Sequence, residues 1–166
     1  MAPRLDFLIV VADQPKLLST VPLATLPSKT FWLLSRTCIA IYSRFPILGA
    51  LKGVVGLIRY KDTFLAIERS DGRGVSFPGG LQFPWESAEK AVIREVREET
   101  GLGVTKFVFK LRYYSSAEIP LHITVFDAEA TGELRSSWEG TPCWLPIHEL
   151  SQRILPSQRR ILDELS

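Results

Sequence analysis

Cysteine and histidine are scarce in this 166-residue chain, which contains only Cys38 and Cys143 and only His122 and His148. A disulfide-stapled scaffold needs more cysteines than this, and a structural zinc site needs cysteine and histidine clustered at short spacing. The four residues are instead scattered along the sequence. We therefore expect two ordinary thiols in a reducing compartment, which indicates a cytoplasmic protein.

A strong excess of charge of one sign is also missing. The chain has 20 basic and 18 acidic residues, a formal net charge of +2. Nucleic-acid-binding proteins usually concentrate basic residues on one face, so this balance gives no reason to expect a nucleic-acid partner. Hydrophobic residues make up 46% of the sequence, which is enough for a core at this length without covalent staples.

Apolar runs long enough to span a membrane are missing from the N-terminal third of the sequence. Residues 31–51 are strongly apolar, but Arg36 and Arg44 interrupt them. The charge-free runs that remain are far shorter than the ~20 residues a membrane-spanning helix requires. Residues 1–53 contain several prolines and few acids. They are predicted to form a largely apolar, partly helical N-terminal extension to a domain over residues 54–166.

A helix is predicted over residues 30–45, with Arg36 and Arg44 on overlapping sides. Two interpretations of this segment stay open. Its apolar side packs on the main domain or on a second copy of the chain in a homodimer. Alternatively, residues 31–51 make a peripheral membrane contact, with the basic residues in the interface and the apolar face in the lipid.

From residue 54 onward, strand-like and helix-like patterns alternate. This order predicts an α/β (α+β) fold, a mixed sheet with helices packed on it. The predicted strands are Val54–Tyr60, Thr63–Arg69, Val75–Phe77, Phe107–Tyr114, His122–Ala130 and Cys143–Leu145. The predicted helices are Ser87–Thr100, Ile147–Ser151 and Pro156–Leu165.

The helix predicted from Ser87 to Thr100 carries a stripe of acids. At about 100° per residue, Glu98 and Glu99 fall on either side of Glu95, so three carboxylates share one side of the helix. Like charges at this spacing repel by roughly 0.2–0.5 kcal/mol per pair. A solvated charged helix shows the same spacing. A hard divalent cation such as Mg²⁺ would relieve the repulsion, because it prefers carboxylate oxygens as ligands.

The other residues of this helix divide between a core side and a basic side. Val92, Ile93 and Val96 form an apolar stripe that is predicted to face the core, whereas Lys90, Arg94 and Arg97 fill much of the opposite side. Ala88 and Ala91 are small enough to allow another backbone close by. Gly101 supplies the stop expected just past the last turn.

The residues around the acidic stripe resemble the Nudix box. The sequence reads Gly80, five residues, Glu86, seven residues, and then Arg94-Glu95-Val96-Arg97-Glu98-Glu99-Thr100-Gly101-Leu102. The family pattern is Gly-x5-Glu-x7-Arg-Glu-aliphatic-x-Glu-Glu-x-Gly-aliphatic, and every defined position matches. The seven glycine and charged positions of the pattern alone have a chance probability of matching on the order of 10⁻⁸ per starting point. The resemblance implies a Nudix-like mixed β-sheet sandwiched between helices.

The resemblance also implies a chemistry. Nudix hydrolases cleave a diphosphate that links a nucleoside to another group, using Mg²⁺ or Mn²⁺. Carried over by position, the metal ligands are the Gly79 carbonyl and the carboxylates of Glu95, Glu98 and Glu99. Arg94 would orient a glutamate of the box, and Glu86 would brace the loop against the helix. Gly80, Glu86 and Gly101 are then structural members of the motif.

The general base is left open by the resemblance, because it differs between subgroups of the family. Glu95 or a loop residue would accept the proton of the attacking water. Glu139, in the loop before the last predicted strand, lies where many members place a further acid, and a solvent-exposed loop glutamate is the alternative reading. The candidate catalytic residues are therefore Arg94, Glu95, Glu98 and Glu139.

The start of the box departs from many members of the family. Phe83 and Trp85 stand where a glutamate and a glycine are common. The missing carboxylate is expected to weaken metal binding. Trp85 either packs against the protein or stacks on a substrate base, since aromatic faces bind bases without a sequence code. Arg73 is a candidate phosphate ligand, with a solvated loop charge as its alternative.

Two other functions remain compatible with the sequence. A Nudix-fold module that senses a nucleotide without turnover would tolerate the altered loop, but it would have no need of the full set of glutamates. A membrane-associated hydrolase of a lipid or isoprenoid diphosphate would use the apolar residues 31–51. The first expectation is a Mg²⁺-dependent Nudix-type pyrophosphohydrolase acting on a small nucleoside diphosphate derivative.

Overall fold

The computed structural model describes residues 49–165 together with Thr37, Ala40, Ile41 and Arg44. Those four residues are helical and exposed, and the rest of the predicted helix over residues 30–45 lies outside the described residues. Cys143 is a free, half-buried thiol, and Cys38 lies outside the described residues as well. In the described part of the chain, no helix is long and apolar enough to cross a membrane.

The secondary structure follows the predicted order closely. The strands are β1 (Leu51–Tyr60), β2 (Thr63–Arg69), β3 (Val75–Ser76), β4 (Gly79–Leu81), β5 (Gly103–Ser115), β6 (Leu121–Thr131) and β7 (Gly140–Pro146). The helices are α1 (Ala88–Thr100), α2 (Ile147–Arg153) and α3 (Arg159–Asp163), with a 3₁₀ turn at Pro156–Gln158. β4 was not predicted, and the single C-terminal helix expected from residue 156 is the 3₁₀ turn followed by α3.

Strand β1 is the centre of the sheet. It runs parallel to β6 along one edge, and β6 pairs antiparallel with β5. On its other edge β1 forms a hairpin with β2 only at the Tyr60 end, where Arg59 pairs with Phe64 and Tyr60 with Thr63. The two strands then diverge, and β3 pairs with β2 while β4 pairs with β1. The chain from β3 to β4 therefore crosses the gap between two halves of the sheet.

Helices cover both faces of this sheet. On one face α1 packs on a core of mainly aliphatic residues: Val54, Ile58, Leu65, Ala91, Val92, Val96, Leu102, Phe126, Ala128 and Ala130. On the other face α2 and α3 pack on a second core, which includes Val55, Leu57, Phe64, Phe77, Val125, Leu150, Ile154 and Ile161. Alternate residues of β1 and β6 serve the two cores, as expected for strands buried on both sides.

Candidate active site

Helix α1 has well-defined ends and a buried apolar side. The Ser87 side chain caps its N-terminus by accepting from the Lys90 N–H at 3.3 Å. Gly101 ends it in the left-handed conformation with φ of 78°. Ala91, Val92 and Val96 are fully buried, as the small and apolar positions suggested. Ile93 was expected in the core stripe and is instead 37% exposed, because the helix contacts the sheet along a narrower face than predicted.

The acidic stripe lies partly inside the protein. Glu95 and Glu99 are only 8% and 2% exposed, whereas the Glu98 side chain remains 60% exposed. Burial raises the pKa of Glu95, although its hydrogen bond from Arg94 opposes this shift. The helix therefore places two carboxylates in a poorly solvated position and a third at its rim.

Glu99 is the most deeply buried of these carboxylates. Its Oε2 atom accepts a hydrogen bond from the Gly79 N–H at 2.8 Å. Burial raises the pKa of Glu99 well above its usual range, and the neighbouring Glu139 carboxylate raises it further, while the Gly79 hydrogen bond acts in the opposite direction. Glu139 also adds to the raised pKa of Glu95. We call Glu95, Glu99 and Glu139 the carboxylate cluster.

The loop before β7 brings Glu139 to this cluster. The Glu139 carbonyl accepts from the Ser70 N–H at 2.8 Å, and the Ser70 hydroxyl donates to the Trp138 carbonyl at 3.0 Å. These bonds fix the loop to the chain that follows β2. Glu139 is thus half-buried beside α1, although some forty residues separate it from the stripe.

Two adjacent glycines allow the close approach of β4 to α1 and β1. A Cβ atom on Gly80 would lie 2.7 Å from the Glu95 carboxyl carbon. A Cβ atom on Gly79 would lie 2.1 Å from the Val54 carbonyl oxygen, and the Gly79 φ of +154° is one that residues with side chains rarely adopt. The Gly-Gly pair therefore sets the distance between the turn and the carboxylates.

Arg94 gathers several acceptors on the outer side of the cluster. Its guanidinium donates to Glu86 at 2.6 Å, to Glu95 at 2.7 Å and to Glu98 at 3.2 Å. It also donates to the Leu81 carbonyl at 3.0 Å. The helical wheel placed Arg94 on the basic side of α1, but its long side chain reaches back around the helix. Glu86 and Arg94 together tie the β4–α1 loop to the helix.

The aromatic residues of this loop form a layered stack on Arg94. The Arg94 guanidinium carbon lies 4.3 Å from the Phe83 ring centroid, a cation–π contact. Trp85 stacks on Phe83 with centroids 5.1 Å apart and an interplanar angle of 14°. Glu86 fixes the loop further by accepting from the Phe83 N–H at 2.8 Å. Trp85 is nevertheless 81% exposed, so its outer ring face is open to solvent.

A second charged group lies in the loop after β2. Asp71 accepts from Arg69 at 2.7 Å and from Arg73 at 2.8 Å, and Arg73 also donates to Glu118 at 2.7 Å. We call Arg69, Asp71, Arg73 and Glu118 the ion-pair network. Arg73 is thus held by two acids, and its role as a phosphate ligand stays a prediction. Arg69 and Asp71 were not among the predicted site residues, and the turn residues Ser-Asp-Gly-Arg-Gly at 70–74 indicate a loop there but no site.

The structure brings most of the candidate residues together around α1. Those that converge on the acidic stripe are Gly79, Gly80, Glu86, Arg94, Glu95, Glu98, Glu99 and Glu139. Gly101 ends the helix, Trp85 lies at the rim and Arg73 lies in the ion-pair network. The catalytic, metal and substrate roles of these residues stay predictions at this stage.

Among the described residues, no three Asp, Glu, His or Cys side chains form a ready-made metal cage. Arg94 draws Glu95 and Glu98 toward itself, while Glu99 turns to the Gly79 amide. The donor chemistry nevertheless fits a hard divalent cation, because buried carboxylates beside one another are the ligands that Mg²⁺ and Mn²⁺ prefer. Each of these bonds uses one carboxylate oxygen, Glu95 Oε1, Glu98 Oε2 or Glu99 Oε2, so a cation would be held by the second oxygen of each group.

Comparison with known proteins agrees with this geometry. The family model for the NUDIX domain matches residues 51–165. A Bacillus subtilis (strain 168) protein named "Putative 8-oxo-dGTP diphosphatase YtkD" is 40% identical over 68 residues, which cover 41% of this chain and 42% of that protein. The match thus spans about two fifths of the length of this curated relative.

Solved structures with the same fold include two bacterial proteins. The E. coli ORF135 protein is 25% identical, with a TM-score of 0.58 over 70% of this chain and 89% of its own. A MutT NUDIX hydrolase from Burkholderia pseudomallei is 21% identical, with a TM-score of 0.63 over 70% of this chain and 98% of its own. They confirm the predicted fold class. By its sequence pattern, its fold and the family model, the chain belongs to the NUDIX family.

Proposed function

We propose that the chain is a divalent-metal-dependent pyrophosphohydrolase that cleaves a diphosphate bond in a nucleoside-diphosphate-linked small molecule by attack of water on phosphorus. The observation that carries this proposal is the carboxylate cluster. Burial and neighbouring carboxylates make the charged forms of Glu95 and Glu99 unfavourable and so raise the pKa of both groups. A divalent cation would offset this cost and is the group that diphosphate hydrolysis needs.

Glu95, Glu98, Glu99 and the Gly79 carbonyl are the proposed ligands for Mg²⁺ or Mn²⁺. When bound, the cation would neutralise charge on the phosphoryl oxygens and hold the attacking water. Arg94 would keep Glu95 and Glu98 oriented from the outer side, where it already donates to both. Glu86 would in turn hold Arg94 and the loop.

A carboxylate of the site would accept the proton of the attacking water. Glu139 and Glu95 are the two candidates, because both belong to the carboxylate cluster. The raised pKa of Glu95 brings this base closer to the working pH and makes proton transfer more favourable. Glu139 lies on the loop before β7, whereas Glu95 lies on α1.

Oxidised purine nucleoside triphosphates are the first substrates to test, since the Bacillus subtilis relative carries the name "Putative 8-oxo-dGTP diphosphatase YtkD". The open face of Trp85 offers a platform on which a base would stack. Arg73 would contact a phosphate only after leaving Asp71 or Glu118. The further proposals are a cytoplasmic location and a homodimer or peripheral membrane contact through residues 31–51.

The test is a hydrolysis screen with and without Mg²⁺ or Mn²⁺. The panel contains 8-oxo-dGTP, ordinary nucleoside triphosphates, ADP-ribose, sugar nucleotides, dinucleoside polyphosphates and isoprenoid diphosphates. Glu98→Gln is the inactivating variant, and Glu89→Gln is its matched control. Glu89 lies exposed in the first turn of the same helix, so the control makes the same chemical change away from the stripe.

We expect a metal-dependent activity on a nucleotide that Glu98→Gln removes and Glu89→Gln retains. An activity that both variants keep would show that the acidic stripe is not the metal site. Hydrolysis of the isoprenoid diphosphates alone would favour the lipid-diphosphate hydrolase. Metal-dependent stabilisation with no hydrolysis of any member of the panel would favour a nucleotide-sensing module.

A further inference from the structure

The β3–β4 turn (Phe77 and Pro78) and the first residue of β4, Gly79, are held by three different parts of the protein. The Gly79 N–H donates to Glu99 of α1 at 2.8 Å. The Pro78 carbonyl accepts from the Gly56 N–H of β1 at 2.9 Å. Each of these tethers comes from an element that frames the carboxylate cluster. The position of the turn is therefore coupled directly to the position of Glu99.

The third tether comes from the C-terminal end of the chain. The Gln158 side chain accepts a hydrogen bond from the Phe77 N–H through Oε1, at 2.7 Å. Gln158 is 7% exposed and Phe77 is fully buried, so water has no access to this contact. The two residues lie 81 positions apart in the sequence. The nearby Leu155 N–H donates to the Val75 carbonyl at 2.9 Å, which brings the 3₁₀ turn alongside β3.

The geometry points to Gln158 as a positioning residue for the metal site, an inference that rests on the proposed function. A buried backbone N–H that loses its acceptor must find another partner or remain unpaired, and both outcomes move the backbone. At Phe77 that movement passes through Pro78 to Gly79, two residues away. Gly79 contributes the N–H that orients Glu99 and the carbonyl proposed as a metal ligand.

A purely structural role for the C-terminal 3₁₀ turn makes a different prediction. The same turn is also anchored by Tyr113, whose hydroxyl donates to the Ser157 carbonyl at 2.8 Å. That bond is buried but does not contact the β3–β4 turn. Tyr113→Phe therefore removes one anchor of the C-terminal segment and leaves the Phe77 tether in place.

The experiment compares Gln158→Met, Gln158→Glu and Tyr113→Phe with the parent protein. Methionine keeps the length of the side chain and lacks the acceptor, whereas glutamate keeps an acceptor for the Phe77 N–H. The first readout is the apparent Kd for Mg²⁺ and for Mn²⁺ without substrate, taken from the rise in Tm with metal concentration. The second is hydrogen exchange at the Phe77 and Gly79 amides in metal-free protein. The parent is also assayed for hydrolysis.

We expect Gln158→Met to raise the apparent metal Kd about tenfold, the usual effect of losing a group that orients a ligand. Exchange should become faster at Phe77 and also at Gly79. Gln158→Glu should restore the metal Kd to near the parental value. Tyr113→Phe should lower Tm and leave both the metal Kd and the Gly79 exchange rate unchanged.

The inference is overturned if Gln158→Met binds metal with parental affinity, or if Tyr113→Phe weakens metal binding equally. Slow exchange at Gly79 in Gln158→Met would overturn it even where that variant is poorly stable, because the transmitted movement would be absent. If the parent protein hydrolyses nucleotides and Gln158→Met keeps the parental metal affinity, the positioning role is refuted and the proposed function is retained. A parent that neither binds metal nor hydrolyses any nucleotide refutes the proposed function and this inference together.

Discussion

The carboxylate cluster and the ion-pair network are neighbouring groups of charges with opposite electrostatic character. In the network, burial alone would raise the pKa of Asp71, but hydrogen bonds from Arg69 and Arg73 hold it well below its usual range. In the cluster, Glu99 faces the carboxylate of Glu139, and its pKa lies well above the usual range. Both groups contain acids of low exposure, so burial alone does not explain the difference.

The difference between the two groups is the sign of their partners. The network pairs each acid with a guanidinium, which makes its charged state favourable when the protein is folded. In the cluster Glu95 accepts from Arg94, but Glu99 is buried beside Glu139, which makes its charged form unfavourable in the folded protein. A network of the first kind stabilises loops. A cluster of the second kind is where an added cation makes the most favourable electrostatic interaction. Arg69 lies within electrostatic reach of both Glu139 and Glu99 and links the two groups.

The largest effect is expected from neutralising the cluster with Glu99→Gln. Turnover should fall by about 10²–10³-fold, since metal stabilisation of the developing charge contributes several kcal/mol. The Tm of the metal-free protein should rise, because the repulsion from Glu139 is removed while an amide oxygen still accepts from the Gly79 N–H. Metal-dependent thermal shifts and initial rates measure both quantities.

Glu89→Gln serves as the control for that variant, as an exposed acid on the same helix. Its turnover and its metal-dependent Tm shift should match those of the parent. A Glu99→Gln protein that loses stability without metal would contradict the comparison, because it would show that the charged form of Glu99 is favourable in the fold.

Neutralising the network with Asp71→Asn should have the next largest effect, with the opposite sign for stability. The asparagine leaves Arg69 and Arg73 without their anionic partner, and the Asp71 side chain is only 10% exposed. Hydrogen bonds to charged groups contribute about 1.5–3 kcal/mol each when measured by removal, so the free energy of unfolding should fall by about 2 kcal/mol. Urea denaturation at neutral pH measures this change. Unchanged stability would show that the network is merely a surface feature.

The two groups should also give opposite responses to pH in metal-free protein. Asp71 has a lowered pKa in the folded state, so its contribution to stability is present above its ordinary value of 3.8 and is lost as pH falls toward the folded value. Glu99 has a raised pKa in the folded state, so its cost is absent below the ordinary value of 4.5 and grows as pH rises through the folded value.

Urea midpoints from about pH 4 to about pH 8 in the presence of a chelator separate the two contributions. The decline of the urea midpoint with rising pH that Glu99 causes in the parent should be absent from Glu99→Gln. Asp71→Asn should keep that decline and lose stability at every pH in the range. Parallel profiles for the parent and Glu99→Gln would mean that the Glu99 pKa is the same in the folded and unfolded states.

The smallest effect on stability is expected at the rim of the site, with Trp85→Ala. Trp85 is 81% exposed and stacks on Phe83, so the free energy of unfolding should change by less than about 0.5 kcal/mol. Stacking of a base on an aromatic ring contributes about 1–3 kcal/mol, so KM for a nucleotide should rise at least about fivefold. Steady-state kinetics separate this from kcat, which should be unchanged. An unaltered KM would assign Trp85 to packing on the loop alone.

Most of the fold was accessible from the sequence because its strands and helices carry strong local patterns. The bounds of β2 and the end of α1 at Gly101 follow from turn, cap and periodicity signals, whereas Ser87, predicted as the first helical residue, is the N-cap. β4 was missed because Gly79, Gly80 and Leu81 have no strand propensity of their own. Their pairing with β1 is imposed by the gap between β1 and β2, which is a tertiary feature.

The candidate site likewise has features that local sequence patterns predict and features that only tertiary contacts determine. The spacing of Glu95, Glu98 and Glu99 predicted a common stripe, since positions three and four apart share a helix face. The approach of Glu139 to α1 and the Gln158 tether join segments that are far apart in the sequence. No local sequence pattern predicts these contacts. The stack of Phe83 and Trp85 on Arg94 was also missed, because a helical wheel ignores how far a long side chain can reach.

Gly79 and Gly80 meet two separate demands although they are neighbours. Gly79 has φ of +154°, whereas Gly80 lies outside the positive-φ residues and is needed only for the space that Glu95 occupies. One methyl group at position 80 would therefore displace a carboxylate and leave the backbone path unaltered. A single codon change at this position would therefore alter the proposed metal site while the gene still encodes the same fold. Position 80 is thus a point at which the fold and the proposed hydrolysis can be separated by one substitution.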